Sequence, residues 1–179
     1  MTAYRGGAQY RFDIAVSILG NVGKFKLQTR KRSAGGGRLK FLVSSVPTDS
    51  HTWNLVVLQL LIEEMGHQVV NLGSCVPVDL LLAACRAERP DYVVLSTVNG
   101  HGQADGARVI RALRGDPALS GLTVVIGGRF GTRGDAGPGL RRDLLARGYD
   151  AVFPADVDGP ARAVEQLREF VESRAAGAR

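Results

Sequence analysis

One pattern constrains this sequence more than any other: a short apolar run followed by a longer helix-like segment occurs five times from Leu39 onward. Runs such as "KFLVSS", "YVVLST" and "LTVVIGG" show no regular alternation of polar and apolar residues. Strands of this kind are buried on both faces, as in parallel sheets covered by helices. With right-handed crossovers, the pattern predicts an α/β fold: a single flavodoxin-like (Rossmann-like), doubly wound, five-stranded parallel sheet with helices on both faces.

The expected strand and helix pairs follow from the spacing of turn residues. The first helix should end at Gly66, where the apolar periodicity stops. A chain of 179 residues, 45% hydrophobic, can form one ordinary core, which favours a single domain. The pairs are "RLKFLVSSV" with "WNLVVLQLLIEEMG", "QVVNLG" with "VDLLLAACRAE", "DYVVLST" with "QADGARVIRALRG", "LTVVIGG" with "GLRRDLLARG", and "DAVFP" with "GPARAVEQLREFVESR".

The net charge of +6 is unevenly distributed along the chain. Residues 1 to 40 carry nine Lys or Arg and one acid, whereas the remainder carries fourteen Arg and sixteen acids. The basic, glycine-rich stretch "KFKLQTRKRSAGGGRLK" has the composition of a linker. We therefore expect a flexible arm over residues 1–38, a domain over 39–174 and a disordered tail over 175–179. Because the charge belongs to the arm, binding to nucleic acid is not expected of the domain.

No apolar stretch approaches the roughly 20 residues that cross a bilayer, so we expect a cytoplasmic protein without membrane contact. The two cysteines, Cys75 and Cys85, show neither zinc-site nor disulfide spacing and are predicted to be buried thiols.

In doubly wound folds, ligands bind beyond the carboxyl ends of the strands. The first such loop, "PTDSHTWN", contains His51 two residues after Asp49. A carboxylate on one imidazole nitrogen fixes the tautomer and raises the basicity of the other, as in metal-ligating histidines. His67 and His101 stand too far along the chain to complete an obvious bare-metal site, which points to a macrocyclic cofactor that needs one axial ligand. The alternative is that Asp49 caps the helix and His51 is a loop residue.

The third and fourth loops add further candidates. Ser96 and Thr97 end the central strand, where their hydroxyls would face a ligand or cap a helix. Gly127 and Gly128 remove side chains at the end of the fourth strand, so a bulky ligand could approach the backbone. Alternatively, "GGRFGTRG" is a phosphate cradle, although it lacks the residue order of the nucleotide-binding motifs.

Three motifs in chain order resemble a known family. "DSHTWN" after the first strand, "STV" at the end of the third and "GG" at the end of the fourth are similar to the Asp-x-His-x-x-Gly, Ser-x-Leu and Gly-Gly series of cobalamin-binding domains. With "GHQVVNLGSCVP" between the first two, the chain resembles in particular the small subunit of glutamate mutase, also called methylaspartate mutase. The resemblance covers roughly residues 39 to 172, the whole predicted domain.

The resemblance implies an isomerase subunit that binds adenosylcobalamin and is inactive without a large, barrel-type catalytic subunit. The two chains would form a hetero-oligomer, and the partner would bind most of a small amino-acid or acid substrate. Homolysis of the cobalt–carbon bond in such enzymes starts a radical rearrangement of the carbon skeleton. The resemblance implies no catalytic residue on this chain alone.

The resemblance also assigns roles to individual residues. His51 would be the axial cobalt ligand in place of the cofactor's dimethylbenzimidazole, Asp49 would be hydrogen-bonded behind it, and Ser96 would meet the displaced nucleotide tail. The other cofactor contacts that it implies are Ser50, Thr52, Asn54, Val98 and Gly100, with Gly127 and Gly128 along the channel for the tail and Pro154 and Ala155 at its far wall.

Two positions depart from the family pattern. Asn54 stands where the motif has glycine, and asparagine adopts a left-handed backbone more readily than most residues. Val98 replaces the motif leucine, with the loss of one methylene. Outside the motif positions, we expect Trp53 to begin the hydrophobic face of the first helix rather than to lie against the corrin, and His101 to be a solvated loop residue.

Other functions fit parts of the same pattern. A corrinoid carrier for methyl transfer or a cobalamin-dependent sensor would keep the cofactor; such relatives usually carry a helical bundle ahead of this domain, whereas the basic arm stands there in this sequence. A flavodoxin-like module without cobalamin is the third alternative. A receiver domain would need an acidic pair after the first strand and a late lysine, and no lysine follows Lys40.

Overall fold

The computed structural model describes residues 37–131 and 138–177, which belong to one compact unit. The predicted arm therefore lies almost entirely outside the described residues. Strands and helices alternate as the sequence predicts. The strands are β1 (Lys40–Ser45), β2 (Gln68–Gly73), β3 (Tyr92–Thr97), β4 (Thr123–Gly128) and β5 (Ala151–Pro154). The helices are α1 (Trp53–Glu64), α2 (Val78–Glu88), α3 (Gly102–Gly115), α4 (Pro138–Ala146) and α5 (Ala155–Gly177), with a 3₁₀ turn at Pro117–Leu119.

The five strands pair in parallel in the order β2-β1-β3-β4-β5. This confirms the predicted flavodoxin-like, doubly wound α/β fold. The strand order reverses between β1 and β3, so the loops after these two strands flank the crevice in which such sheets bind ligands.

The sheet separates two hydrophobic cores. One core lies between the sheet and α2, α3 and α4, and the other between the sheet and α1 and α5. Successive residues of a strand point to opposite faces, so β3 sends Val93 and Leu95 to the first core and Tyr92 and Val94 to the second. The continuous apolar runs in the sequence therefore reflect burial on both faces, as predicted.

Some local predictions are wrong. The edge strand β2 is partly exposed along its length, since none of the strands in the described part of the chain pairs with its outer side. Trp53 is not part of the hydrophobic face of α1: it is 45% exposed, and the first apolar residue of α1 in the core is Leu55.

The last helix also differs from its predicted extent. It contains a break at Gly159, whose φ of 81° is outside the helical range, directly before Pro160. It continues to Gly177, beyond the predicted domain end at residue 174, because alanines, which favour helix, come after Arg174. None of the helices that the structure describes is both long enough and apolar enough to cross a membrane.

Candidate functional site

The ends of three neighbouring strands form a row of small side chains on one face of the sheet. Ser45 of β1 is in register with Ser96 of β3, Ser96 with Gly127 of β4, and Gly127 with Phe153 of β5. Phe153 lies in the core beneath α1 and α5, and alternation along β3 and β4 places Ser96 and Gly127 on that same face. We call Ser45, Ser96 and Gly127 the small-residue row.

His51 and Asp49 form the pair that their spacing predicts. The Asp49 carboxylate is buried, and its Oδ1 lies 2.7 Å from His51 Nδ1. The same oxygen accepts a hydrogen bond from the His51 backbone N–H at 3.0 Å. The His51 side chain is 47% exposed. An ionised carboxylate only accepts hydrogen bonds, so this contact favours the tautomer that carries its proton on Nδ1, which leaves the lone pair of a neutral ring on Nε2.

Asp49 is fixed by three segments of the chain. Its Oδ2 accepts a hydrogen bond of 2.5 Å from the backbone N–H of Val98, directly after β3. Its carbonyl accepts hydrogen bonds from the Ser45 hydroxyl and from the Cys75 N–H, the latter in the loop after β2. The alternative role for Asp49, a cap of α1, is wrong. Thr52 occupies the N-cap position, and no side-chain hydrogen bond caps this helix.

Ser96 is buried, and its hydroxyl accepts a 2.5 Å hydrogen bond from the side-chain amide of Asn54 in the first turn of α1. Our explanation for asparagine at position 54 is therefore wrong. Asn54 is helical and is absent from the described residues with a positive φ, so no left-handed backbone requires this residue type. Its side chain instead points inward and binds the end of β3.

The two glycines at the end of β4 serve different purposes. Gly128 has a φ of 119°, and a Cβ there would lie 1.9 Å from the carbonyl oxygen of Thr97, so the backbone alone requires glycine. A Cβ on Gly127 would lie 3.3 Å from the Phe153 carbonyl oxygen, a tight contact but not an impossible one. Only Gly127 therefore widens the space on the face of the small-residue row.

Thr97 does not share this face with Ser96. From the sequence we expected the hydroxyls of both residues to face the same ligand. Neighbouring strand residues point to opposite faces, and the Thr97 side chain packs against Gly102 at the start of α3. The remaining predicted cofactor contacts surround the pair and the row. Ser50 and Thr52 are exposed in the His51 loop, whereas Val98, Gly100, Pro154 and Ala155 are half-buried at the same edge of the sheet.

Sequence reasoning missed a polar cluster that joins the first and third loops. The Thr48 hydroxyl donates to the buried carboxylate of Asp105 in α3 and accepts a 2.9 Å hydrogen bond from the Asn99 amide. Asp105 could not be recognised because its position in the first turn of α3 is the ordinary place for a helix-stabilising acid. His101 is exposed beside this cluster, as predicted.

The cysteines were predicted to be buried, and this is wrong for one of them. Cys85 lies in the core, where burial raises the pKa of its thiol to about 11. Cys75 is exposed in the loop after β2 and has a φ of 55°. Among residues 37–131 and 138–177, no three His, Cys, Asp or Glu side chains are grouped closely enough to hold a bare metal ion. The described residues around His51 therefore do not form a bare-metal site.

Comparison with known proteins gives this geometry a family context. Residues 39–139 match the family described as the B12 binding domain, which is more than half of the chain. The chain belongs to the B12-binding domain family. The resemblance drawn from the Asp-x-His, Ser-x-Val and Gly-Gly motifs is thereby confirmed.

Similar curated proteins carry the name of one enzyme. The chain is 27% identical over 131 residues to glutamate mutase sigma subunit 1 of Haloarcula marismortui, a match that spans 73% of this chain and 85% of that protein. It is 25% identical over 115 residues to the glutamate mutase sigma subunit of Fusobacterium nucleatum, spanning 64% of this chain and 83% of the relative. The similarity therefore extends over most of each relative.

A solved structure shares the fold. The crystal structure of a cobalamin-binding protein from Desulfitobacterium hafniense superposes with a TM-score of 0.58 at 22% identity and covers 74% of this chain. The chain spans about 59% of the length of that protein. At this level of identity the match shows a common fold.

Proposed function

We propose that this chain is the cobalamin-binding subunit of an adenosylcobalamin-dependent carbon-skeleton mutase of the glutamate mutase type, with His51 as the lower axial ligand of cobalt. Membership of the B12-binding domain family supports the cofactor. Similarity to named glutamate mutase sigma subunits over most of their length supports the reaction class and a separate catalytic subunit.

The Asp49–His51 pair is the observation that carries the proposal. The imidazole of His51 is exposed, and its Nδ1 is hydrogen-bonded to a buried carboxylate, so Nε2 is suitably placed to bind a metal whose other ligands belong to a cofactor. A corrin ring supplies four equatorial nitrogens, so one protein donor is sufficient. His51 has no cluster of further metal ligands around it among the described residues, so it fits cobalamin better than a bare ion, which would need several protein ligands.

The small-residue row fits the second part of the cofactor. If His51 takes the lower position on cobalt, the dimethylbenzimidazole and its nucleotide tail must lie elsewhere. Ser96 and Gly127 contribute little side-chain volume to the face beneath α1 and α5, and Pro154 and Ala155 lie where β5 ends and α5 begins. We assign the tail to this face of the sheet.

When bound, adenosylcobalamin supplies a cobalt–carbon bond whose homolysis yields a radical. Residues of this chain bind and orient the cofactor. His51 donates from Nε2, Asp49 holds the imidazole proton on Nδ1, and the Val98 N–H holds the carboxylate in place. In this proposal, a barrel-type partner binds the substrate, glutamate or a near relative, over the opposite face of the corrin.

The ligand assignment is tested with the purified chain and adenosylcobalamin. The mixture is desalted in the dark, and visible spectra are compared for the wild type, His51→Ala and His101→Ala. We expect retention by the wild type and by His101→Ala, a matched control in the neighbouring loop, but not by His51→Ala. Electron paramagnetic resonance of the reduced cobalt, with ¹⁵N-labelled histidine, should show coupling to imidazole nitrogen. Coupling to dimethylbenzimidazole instead would contradict the assignment.

The reaction class is tested with a candidate large subunit encoded beside this chain. Rearrangement of glutamate or a related acid, dependent on both chains and on adenosylcobalamin, would support the mutase. Acceptance of a methyl group by the bound cob(I)alamin form, with no rearrangement, would favour the methyl carrier instead.

A further inference from the structure

Asn54 has a buried side chain in which only one of the two polar atoms, Nδ2, has a hydrogen-bond partner within the described part of the chain. The residue is 7% exposed, and its Nδ2 donates to the Ser96 hydroxyl. Its Oδ1 is buried and has no hydrogen-bond partner among the residues that the structure describes. Buried amide oxygens are nearly always paired in native proteins, so an unpaired one calls for an explanation, and a bound ligand would supply one.

The position of Asn54 connects the two parts of the proposed cofactor site. It lies three residues after His51 along the chain, at the point where the exposed segment 50–53 enters the core at Leu55. Its hydrogen bond ends on Ser96, the central member of the small-residue row. A ligand that engages both His51 and the row must pass next to this amide.

The Asn54–Ser96 pair presents one donor and one acceptor. The Ser96 hydroxyl uses an acceptor site for Asn54 and keeps its own proton to donate, while Asn54 Oδ1 can accept. Rotation of the amide by half a turn exchanges the two roles but still leaves one donor and one acceptor. Such a pair is complementary to a group that donates and accepts at once, namely a hydroxyl or a primary carboxamide.

Building on the proposed function, we propose that Asn54 is a specificity-determining residue of the corrinoid site, which with Ser96 hydrogen-bonds a hydroxyl or carboxamide of the bound corrinoid. Corrinoids offer this chemistry in two places, the carboxamides around the ring and the ribose hydroxyl of the nucleotide tail. The pairing gives the buried oxygen a partner in the bound state, which explains why an apolar residue does not occupy the position.

The test compares adenosylcobalamin with adenosylcobinamide, which keeps the ring carboxamides and lacks the nucleotide. Binding is measured by the fluorescence of Trp53, the single tryptophan, which lies two residues from His51 and is 45% exposed. The variant is Asn54→Leu, which has the same branching and number of heavy atoms but cannot hydrogen-bond. The matched control is Gln59→Leu, which removes an amide from the same helix whose partners are Glu63 and Asn71.

We expect Asn54→Leu to weaken cobalamin binding by about tenfold or more and Gln59→Leu to change it by less than about twofold. A loss confined to cobalamin assigns the contact to the tail, and an equal loss for cobinamide assigns it to the ring carboxamides. The melting temperature of Asn54→Leu should stay close to that of the wild type, since removal of the buried unpaired oxygen offsets loss of the Asn54–Ser96 hydrogen bond. A residue that only fastens α1 to β3 would show the reverse: lower stability and unchanged affinities.

The outcome separates this proposal from the proposed function. If the wild type binds both corrinoids and Asn54→Leu binds them equally well, the role of Asn54 is wrong and the cofactor assignment stands. If the wild type binds neither, the cofactor assignment fails and the role of Asn54 fails with it. Should Asn54→Leu not fold, Asn54→Ala removes the same amide without added apolar volume and must show the same loss.

Discussion

The adjacent glycines at the end of β4 allow a sharp test, because the structure requires them for different reasons. In Gly128→Ala the new Cβ would meet the Thr97 carbonyl oxygen at 1.9 Å, at a residue with a φ of 119°. Backbone strain contributes about 1 to 3 kcal/mol and the steric overlap a similar amount, so we expect a loss of about 4 kcal/mol in the free energy of unfolding. For a domain of this size, that corresponds to a fall of roughly 12 °C in the melting temperature.

Gly127→Ala is the matched control. The same methyl group would lie 3.3 Å from the Phe153 carbonyl oxygen, where small shifts relieve the contact, and alanine also reduces the entropy of the unfolded chain. We expect a change in unfolding free energy within about 1 kcal/mol. The methyl group enters the small-residue row, however, so cobalamin binding should weaken by about tenfold or more while the fold stays intact.

Both variants are measured by calorimetry or urea denaturation and then by cobalamin titration of the folded material. If Gly128→Ala melts within about 3 °C of the wild type, the clash with Thr97 does not govern this turn. If Gly127→Ala is stable and binds cobalamin normally, the small-residue row does not hold the tail.

Three further expectations concern single residues. Asp49→Asn places an amide N–H against a backbone N–H donor or leaves one donor unpaired, so it should destabilise the domain by about 1 to 3 kcal/mol in urea unfolding and weaken cobalamin binding more than His101→Ala does. Iodoacetamide should modify one thiol per native chain, mapped by mass spectrometry to Cys75, and should reach Cys85 only in denaturant. Burial lowers the pKa of His67 from its usual 6.5, so the stability that its neutral ring contributes is present above that pH and is lost as the pH falls through the lowered value; His67→Gln should flatten this part of the pH dependence of the urea midpoint.

The fold was predictable from the sequence because burial on both faces leaves a plain signature in β1, β3 and β4. The Asp49–His51 contact was also predictable, since a carboxylate two residues before a histidine in a loop is within reach of its backbone N–H and its ring. The orientation of Thr97, whose hydroxyl faces away from Ser96, could have been predicted from strand alternation but was missed. The different reasons for Gly127 and Gly128 could not be predicted, because they depend on the neighbouring backbones of Thr97 and Phe153.

The contact made by Asn54 could not be predicted from the sequence either. Its place in the motif suggested a backbone explanation, since glycine usually signals an unusual φ. In the folded chain its backbone is ordinary and its side chain matters, because the first turn of α1 directs it at Ser96, which is 42 residues distant in sequence. A motif describes neighbours along the chain, and this contact joins two segments that only the sheet brings together.

The hydrogen bonds around Asp49 explain how a loop residue can present a ligand without the mobility of a loop. Its backbone carbonyl binds the end of β1 and the loop after β2, and its carboxylate binds the first residue after β3, so three segments of the chain meet at one buried residue. His51 is attached to this anchor by both its backbone and its ring. In the proposed role of His51 as a cobalt ligand, little conformational entropy would remain to be lost on binding, which would strengthen binding without any additional contact. The same arrangement predicts that disturbing Asp49 harms both the stability of the domain and its affinity for cobalamin, whereas removing the imidazole of His51 harms only the affinity.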